Sequence, residues 1–182
     1  MKKYHDTQNL YLIGLMGAGK TTIGRQLARQ LGLEFLDSDR EIERRTGVSI
    51  PTIFEIEGEE GFRRREAQTI AELATCSRHI IATGGGVVLR EENRHRLKSS
   101  GYVVYLKVPP EILWERTRLD KNRPLLTVDN PLQRLRELFV ARDPLYREIA
   151  DRIVEGGRSS ADSIVQHLLR ELGAHCFPSG SW

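Results

Sequence analysis

The sequence holds little cysteine: Cys76 and Cys176 are its only two, and they lie far apart. That excludes a disulfide framework and gives no metal-ligand spacing. Two free thiols in a reducing compartment is the plain reading. No apolar run approaches the ~18 residues of a membrane-crossing helix. The stretch Met1 to Asn9 is polar and lacks the apolar centre of a secretory leader. A cytoplasmic protein with no membrane partner is therefore expected. Lysine is also scarce, with six against 22 arginines. No sign of charge dominates: 28 basic residues face 25 acidic ones, for a net +3. The basic residues are interleaved with acids and no aromatic stacking platform accompanies them, so no nucleic-acid partner is expected. Arginine in such excess suits a bidentate grip on carboxylates and phosphates.

The 182 residues suit one domain, and 39% hydrophobic with 29% charged residues suits a soluble globular chain. A chain of this length buries roughly 70% of its unfolded surface and needs no covalent staples. There is no repeat and no low-complexity tract. Short apolar β-type runs alternate with helical patterns. Strands are predicted over Leu10 to Leu15, Glu34 to Asp37, His79 to Thr83, Tyr102 to Val108 and Arg152 to Glu155. A helix over Lys20 to Leu31 follows from Ile23, Leu27 and Leu31 on one face. Others are predicted from Asp39 to Gly47, from Ser49 with Pro51 in its first turn, and over Gly61 to Cys76. Further helices are predicted over Glu91 to Lys98, from Glu111, from Pro131 behind Asn130 to about Asp143, and from Ser159 or Ser160 to Gly173. Pro144 is expected to break or kink its helix. The alternation predicts βαβ units and a parallel sheet, with ligands beyond the carboxyl ends of its strands.

Gly14-Leu15-Met16-Gly17-Ala18-Gly19-Lys20-Thr21 fits G-x-x-x-x-G-K-[ST] in full, between a predicted strand and a predicted helix. Its glycines let successive N–H groups face phosphate oxygens, and the helix start adds partial positive charge. Lys20 can reach the β- and γ-phosphates, and Thr21 can offer a hydroxyl to Mg²⁺. The loop points to a nucleoside triphosphate without saying where the γ-phosphate goes. No N-K-x-D guanine motif occurs, which argues against a GTPase, and no added substrate-engaging domain suggests a motor. A small kinase needs an acceptor pocket, and the remaining motifs supply candidates. Asp37-Ser38-Asp39 ends the second strand, with one acid for a metal shell and one for an acceptor hydroxyl, unless the pair merely caps a helix. Of Arg63, Arg64 and Arg65 only one or two can face a site, since neighbours on a helix diverge by ~100°. Gly84, Gly85 and Gly86 permit close backbone approach. Ile80-Ile81-Ala82 before them has no following Asp, so Asp37 is the candidate acidic metal partner. Arg116, Arg118, Lys121 and Arg123 line a polar stretch that could form a basic flap closing over the phosphates. Arg142 could grip a carboxylate or merely pair with Asp143.

Taken together, these motifs resemble the shikimate kinase family, from about Leu10 to Leu172. The resemblance rests on the phosphate loop, Phe-Leu-Asp-Ser-Asp, Gly-Glu-Glu-Gly-Phe-Arg, Thr-Gly-Gly-Gly, Arg-Pro-Leu-Leu and Arg-Asp-Pro-Leu-Tyr, in the family's order. It implies a three-layer α/β/α P-loop kinase fold with a five-stranded parallel sheet. One domain over residues 1–173 would carry a substrate-binding region at about 37–66 and a mobile lid at about 116–130, followed by a flexible tail at 174–182. It implies ATP and shikimate as substrates, one Mg²⁺ bound with ATP, and a monomer. The nucleotide would meet Gly14, Met16, Gly17, Ala18, Gly19, Lys20, Thr21 and Thr22, with Arg116 and Arg158 near the adenine and Arg123 on the phosphates. Thr21 and Asp37 would serve the metal. Asp39, Lys20 and Arg123 would be catalytic. Arg63, Arg142, Asp39, Gly84, Gly85 and Gly86 would hold shikimate, and Glu66 would position Arg63. A kinase for another small hydroxy acid such as gluconate, or a non-catalytic nucleotide-dependent binding module, are the rival readings.

Overall fold

Two strands carry the centre of the molecule because they have no polar face. β1 (Asn9–Ile13) and β4 (Gly101–Lys107) are buried along almost their whole length, the pattern of parallel strands covered on both sides. The computed structural model describes residues 4–5, 7–119, 126 and 128–173. With β2 (Glu34–Asp37), β3 (His79–Ala82) and β5 (Arg152–Glu155), these strands form a five-stranded sheet in the order β2-β3-β1-β4-β5, every pair parallel. Seven helices pack around it among the described residues: α1 (Lys20–Leu31), α2 (Ser38–Thr46), α3 (Ile50–Leu73), α4 (Glu91–Ser100), α5 (Pro110–Thr117), α6 (Pro131–Ile149) and α7 (Ala161–Glu171).

Local chemistry sets the helix ends. Ser49, Asn130 and Ser160 each accept a backbone N–H from three residues on, as N-caps do. Gly32 and Gly47 close α1 and α2 in the left-handed region. Register then places the chemistry. Asp37 stands beside Ala82, and Ala82 beside Leu12, so the carboxyl ends of β2, β3 and β1 open at one level.

Some boundaries differ from expectation. The first strand stops at Ile13, because Gly14 turns out at φ 139. The helices predicted from Ser49 and over Gly61 to Cys76 form one run, α3, interrupted at Gly58 (φ 68, ψ −177). α6 does not end at Pro144 but continues to Ile149. Its buried positions Leu135, Leu138, Arg142, Tyr146 and Ile149 keep helical spacing through the proline. Packing on both sides of Pro144 offsets the one hydrogen bond that proline forgoes. The glycine triplet leads into a short 3₁₀ turn (Val87–Leu89), which the sequence reading did not include. Arg123 with residues 120–125 and 127 of the predicted lid, and the predicted tail, lie outside the described residues.

Candidate active site

The loop between β1 and α1 wraps around the start of the helix. Gly14, Gly17 and Gly19 all have positive φ, which a side chain would oppose. Lys20 is buried and its Nζ donates to the carbonyls of Gly14 (2.7 Å) and Leu15 (2.8 Å), folding the lysine back along the loop. Next to it, Thr21 Oγ1 donates to Asp37 Oδ2 at 2.9 Å. The other oxygen of Asp37 caps α2, accepting from the N–H groups of Asp39 and Arg40. Both readings of the acid pair are thus realised: Asp37 caps a helix and also faces the phosphate loop. A hydroxyl and a carboxylate oxygen side by side are hard donors that suit Mg²⁺, which takes few protein ligands and relies on substrate phosphates and water. These residues fit the ion. Among the described residues no group of three or more His, Cys, Asp or Glu side chains is placed to hold a metal ion.

An open cleft of about 930 Å³ runs from this loop across the ends of β2 and β3. It is lined by Met16 to Ile23, Asp37, Asp39, Arg63, Glu66, Gly84, Gly85, Gly86, Arg116 and Arg142, so most of the predicted site residues converge. Neither Gly14, the first residue of the loop, nor the solvent-exposed Arg158 lines the cleft. Arg116 ties the phosphate loop to the loop after β5, donating to the Gly17 carbonyl (3.3 Å) and the Gly157 carbonyl (2.6 Å).

The far end of the cleft is built from buried charge. Of the three adjacent arginines, Arg63 alone turns inward, at 5% exposure, while Arg64 and Arg65 face solvent. Arg63 pairs with the fully buried Glu66 at 2.9 Å and with Glu59 at 3.1 Å. Burial opposes its charge, but Glu66 and Glu59 outweigh that and hold its guanidinium above the ordinary value. Burial pushes the Glu66 carboxyl up, against the pull of Arg63 and Arg142. Gly86 lies so close that a Cβ there would fall inside the Arg63 guanidinium. Arg142, on α6, is 3% exposed and donates to the Gly85 carbonyl at 2.9 Å. Among the described residues no carboxylate forms an ion pair with it. Burial, and the like charge of Arg63, hold its guanidinium below the usual value.

Asp39 enters the cleft from the first turn of α2. Its Oδ1 and Glu66 Oε1 lie 2.6 and 2.9 Å from the point where a Cβ on Gly84 would stand, so both carboxyls close over that glycine. Ser38, between the two acids of the strand-end motif, accepts the Gly84 N–H at 3.0 Å and fixes the turn. The sequence reading passed over Ser38, although its place between the acids was a signal. It also passed over an apolar wall of Ile50, Pro51, Phe54 and Phe62, in which the two phenyl rings pack at 4.8 Å. That wall had no signal short of the fold.

A three-layer α/β/α sheet, a phosphate loop opening a helix, and a polar acceptor cleft beside it define a small P-loop kinase. A family model described as shikimate kinase matches residues 16–173. The chain is 63% identical to a shikimate kinase of Dechloromonas aromatica over 165 residues, covering 91% of this chain and 90% of that one. It is 59% identical over 164 residues to one of Thiobacillus denitrificans, covering 90% of each chain. Among solved structures it is similar to the shikimate kinase from Acinetobacter baumannii in complex with shikimate. That likeness has a TM-score of 0.90 and 51% identity, over 94% of this chain and 96% of that one. The chain belongs to the shikimate kinase family.

Proposed function

We infer that this chain transfers the γ-phosphoryl group of ATP to the 3-hydroxyl of shikimate, giving ADP and shikimate 3-phosphate. The observation that carries this reading is Arg142. It is a buried guanidinium with no carboxylate ion-paired to it among the described residues, set near a second buried guanidinium, Arg63. The Arg142 charge is desolvated and only partly offset by the Glu59 and Glu66 carboxylates nearby, and an acceptor carboxylate in direct contact would relieve it. Family membership supplies the acceptor's identity.

On this reading Arg142 and Arg63 hold the shikimate carboxylate, and Glu66 keeps Arg63 aimed. Bare glycine backbone at Gly84, Gly85 and Gly86 lets the ring approach. Asp39 orients the 3-hydroxyl and accepts its proton as the oxygen–phosphorus bond forms and the bond from Pγ to the leaving oxygen of ADP breaks. A loose transition state asks little of that base, so orientation is the larger part of its work. N–H groups from Met16 to Thr22 face the phosphates. Lys20 leaves the Gly14 and Leu15 carbonyls for the β- and γ-phosphate oxygens. Thr21 and Asp37 would hold Mg²⁺, whose contribution when bound is to neutralise charge on the phosphate oxygens. Arg116 flanks the adenine with the loop around Arg158 beside it, and Arg123 belongs to the lid over the phosphates. The working unit proposed is a cytoplasmic monomer with ATP and shikimate as its partners, without nucleic acid or membrane.

The test is ADP release from Mg-ATP with no acceptor, with shikimate and with gluconate. Strong stimulation by shikimate alone is expected. Stimulation by gluconate instead would overturn the acceptor assignment, and no stimulation by either would overturn the kinase reading of Arg63 and Arg142.

A further inference from the structure

Arg142 is not the only donor to the Gly85 carbonyl. The hydroxyl of Tyr146, one turn further along α6, donates to the same oxygen. Tyr146 is fully buried. Its ring stacks on Tyr105 of β4, with centroids 4.8 Å apart and planes at 30°, and the Tyr105 hydroxyl donates to Asp143 at 3.0 Å. The phenol is therefore held at a fixed place, and its burial keeps it protonated and a donor well above neutral pH. Gly85 in turn lies against the phosphate loop: a Cβ there would stand 3.4 Å from the Met16 nitrogen. The carbonyl at Gly85 is thus a joint between α6, the glycine turn and the nucleotide loop.

An acceptor carboxylate competes for one of the two donors. An arginine that turns its fork toward the acceptor weakens or gives up its bond to Gly85. A part-buried carbonyl left with no protein donor would carry its own penalty. We propose that Tyr146 is a positioning residue for the acceptor: it keeps the Gly85 carbonyl satisfied, so that Arg142 is released to the substrate carboxylate without disturbing the glycine turn. This rests on the reading of Arg142 as a carboxylate clamp.

The experiment is steady-state kinetics of Tyr146→Phe, which keeps the ring and its stack and removes only the hydroxyl. Wild type and Tyr105→Phe run beside it. For Tyr146→Phe the KM for shikimate is expected to rise about tenfold, the effect of one hydrogen bond. Its kcat is expected to stay within about threefold and its KM for ATP to be unchanged, because the loss falls on binding. Tyr105→Phe loses its bond to Asp143 and not to Gly85, and is expected to keep the wild-type KM. A purely structural tyrosine would lower kcat or the melting temperature and leave the KM for shikimate alone, which would overturn the proposal. A double-mutant cycle with Arg142→Lys gives a second reading. Coupling is expected because the two side chains meet at one carbonyl and also interact with each other, and additive effects contradict the proposal. If shikimate fails to stimulate ADP release by the wild type, the clamp reading falls with the proposal. If only the Tyr146 result fails, the clamp reading stands.

Discussion

On the proposed reading, the two halves of the cleft bind anions by opposite means. The nucleotide half uses backbone: a loop of glycines at positive φ, the start of α1, and one lysine resting on carbonyl oxygens. The acceptor half uses side chains: two guanidiniums at 5% and 3% exposure, a fully buried glutamate and an aspartate closing over one glycine. Backbone donors have no charge to desolvate, so the phosphate loop can be assembled in advance without a strong electrostatic penalty. The acceptor half bears such a penalty in the free protein, at Arg142 and at Glu66. On the proposed reading it recovers stability when a matching carboxylate arrives. Substitutions in the two halves should therefore separate cleanly, one set moving nucleotide affinity and the other moving acceptor affinity or transfer.

The largest separation is expected for Asp39→Asn. Phosphoryl transfer should fall by about 10²-fold or more, the cost of a misplaced acceptor hydroxyl. ATP binding, followed by nucleotide titration, should stay within about threefold. Equal loss of both would erase the distinction between the halves. Arg142→Lys comes next. It keeps a charge but loses the planar fork, so the KM for shikimate should rise by about 10–100-fold. An unchanged KM would remove Arg142 from the clamp.

The backbone half was legible in the sequence and the side-chain half only partly so. The phosphate loop has a fixed spacing because its geometry is local, and the structure builds it where the motif stands. Helix geometry alone left Arg63, Arg64 and Arg65 undistinguished, and only the family resemblance picked out Arg63. The choice is made by Glu66, three residues on, and by the bare Cα of Gly86 from another element. The carboxyls of Asp39 and Glu66 meet over Gly84 through tertiary contacts that no periodicity announces. The same cause misled the reading of Pro144. A proline in a helix is a local objection, and α6 overrides it because Leu138, Arg142, Tyr146 and Ile149 are buried on both sides of it. The five strands and their alternation with helices were readable because β1 and β4 are apolar almost throughout. The break at Gly58 in a shared helical run and the 3₁₀ turn after the glycines were not.

The smallest effect concerns pH and belongs to the acceptor half. Burial raises the Glu66 carboxyl above its ordinary value of 4.5. The native state then binds more protons than the unfolded state once the pH exceeds that value, so this group's contribution to stability falls as the pH rises through the folded titration. Glu66→Gln does not titrate. Its stability relative to wild type should therefore increase as the pH is raised from about 4.5. Urea midpoints of the two proteins over a pH series check this. A difference independent of pH would show that Arg63 fully compensates the buried carboxylate.

The central claim is that the acceptor half recognises a carboxylate with buried arginines while the nucleotide half works without it. The most direct test compares shikimate with its neutral carboxamide as acceptors, measuring KM for each and for ATP. The amide should have a KM at least about 100-fold higher, from the loss of charge-assisted bonds to two arginines, with the KM for ATP unchanged. An amide accepted as readily as the acid would contradict the account.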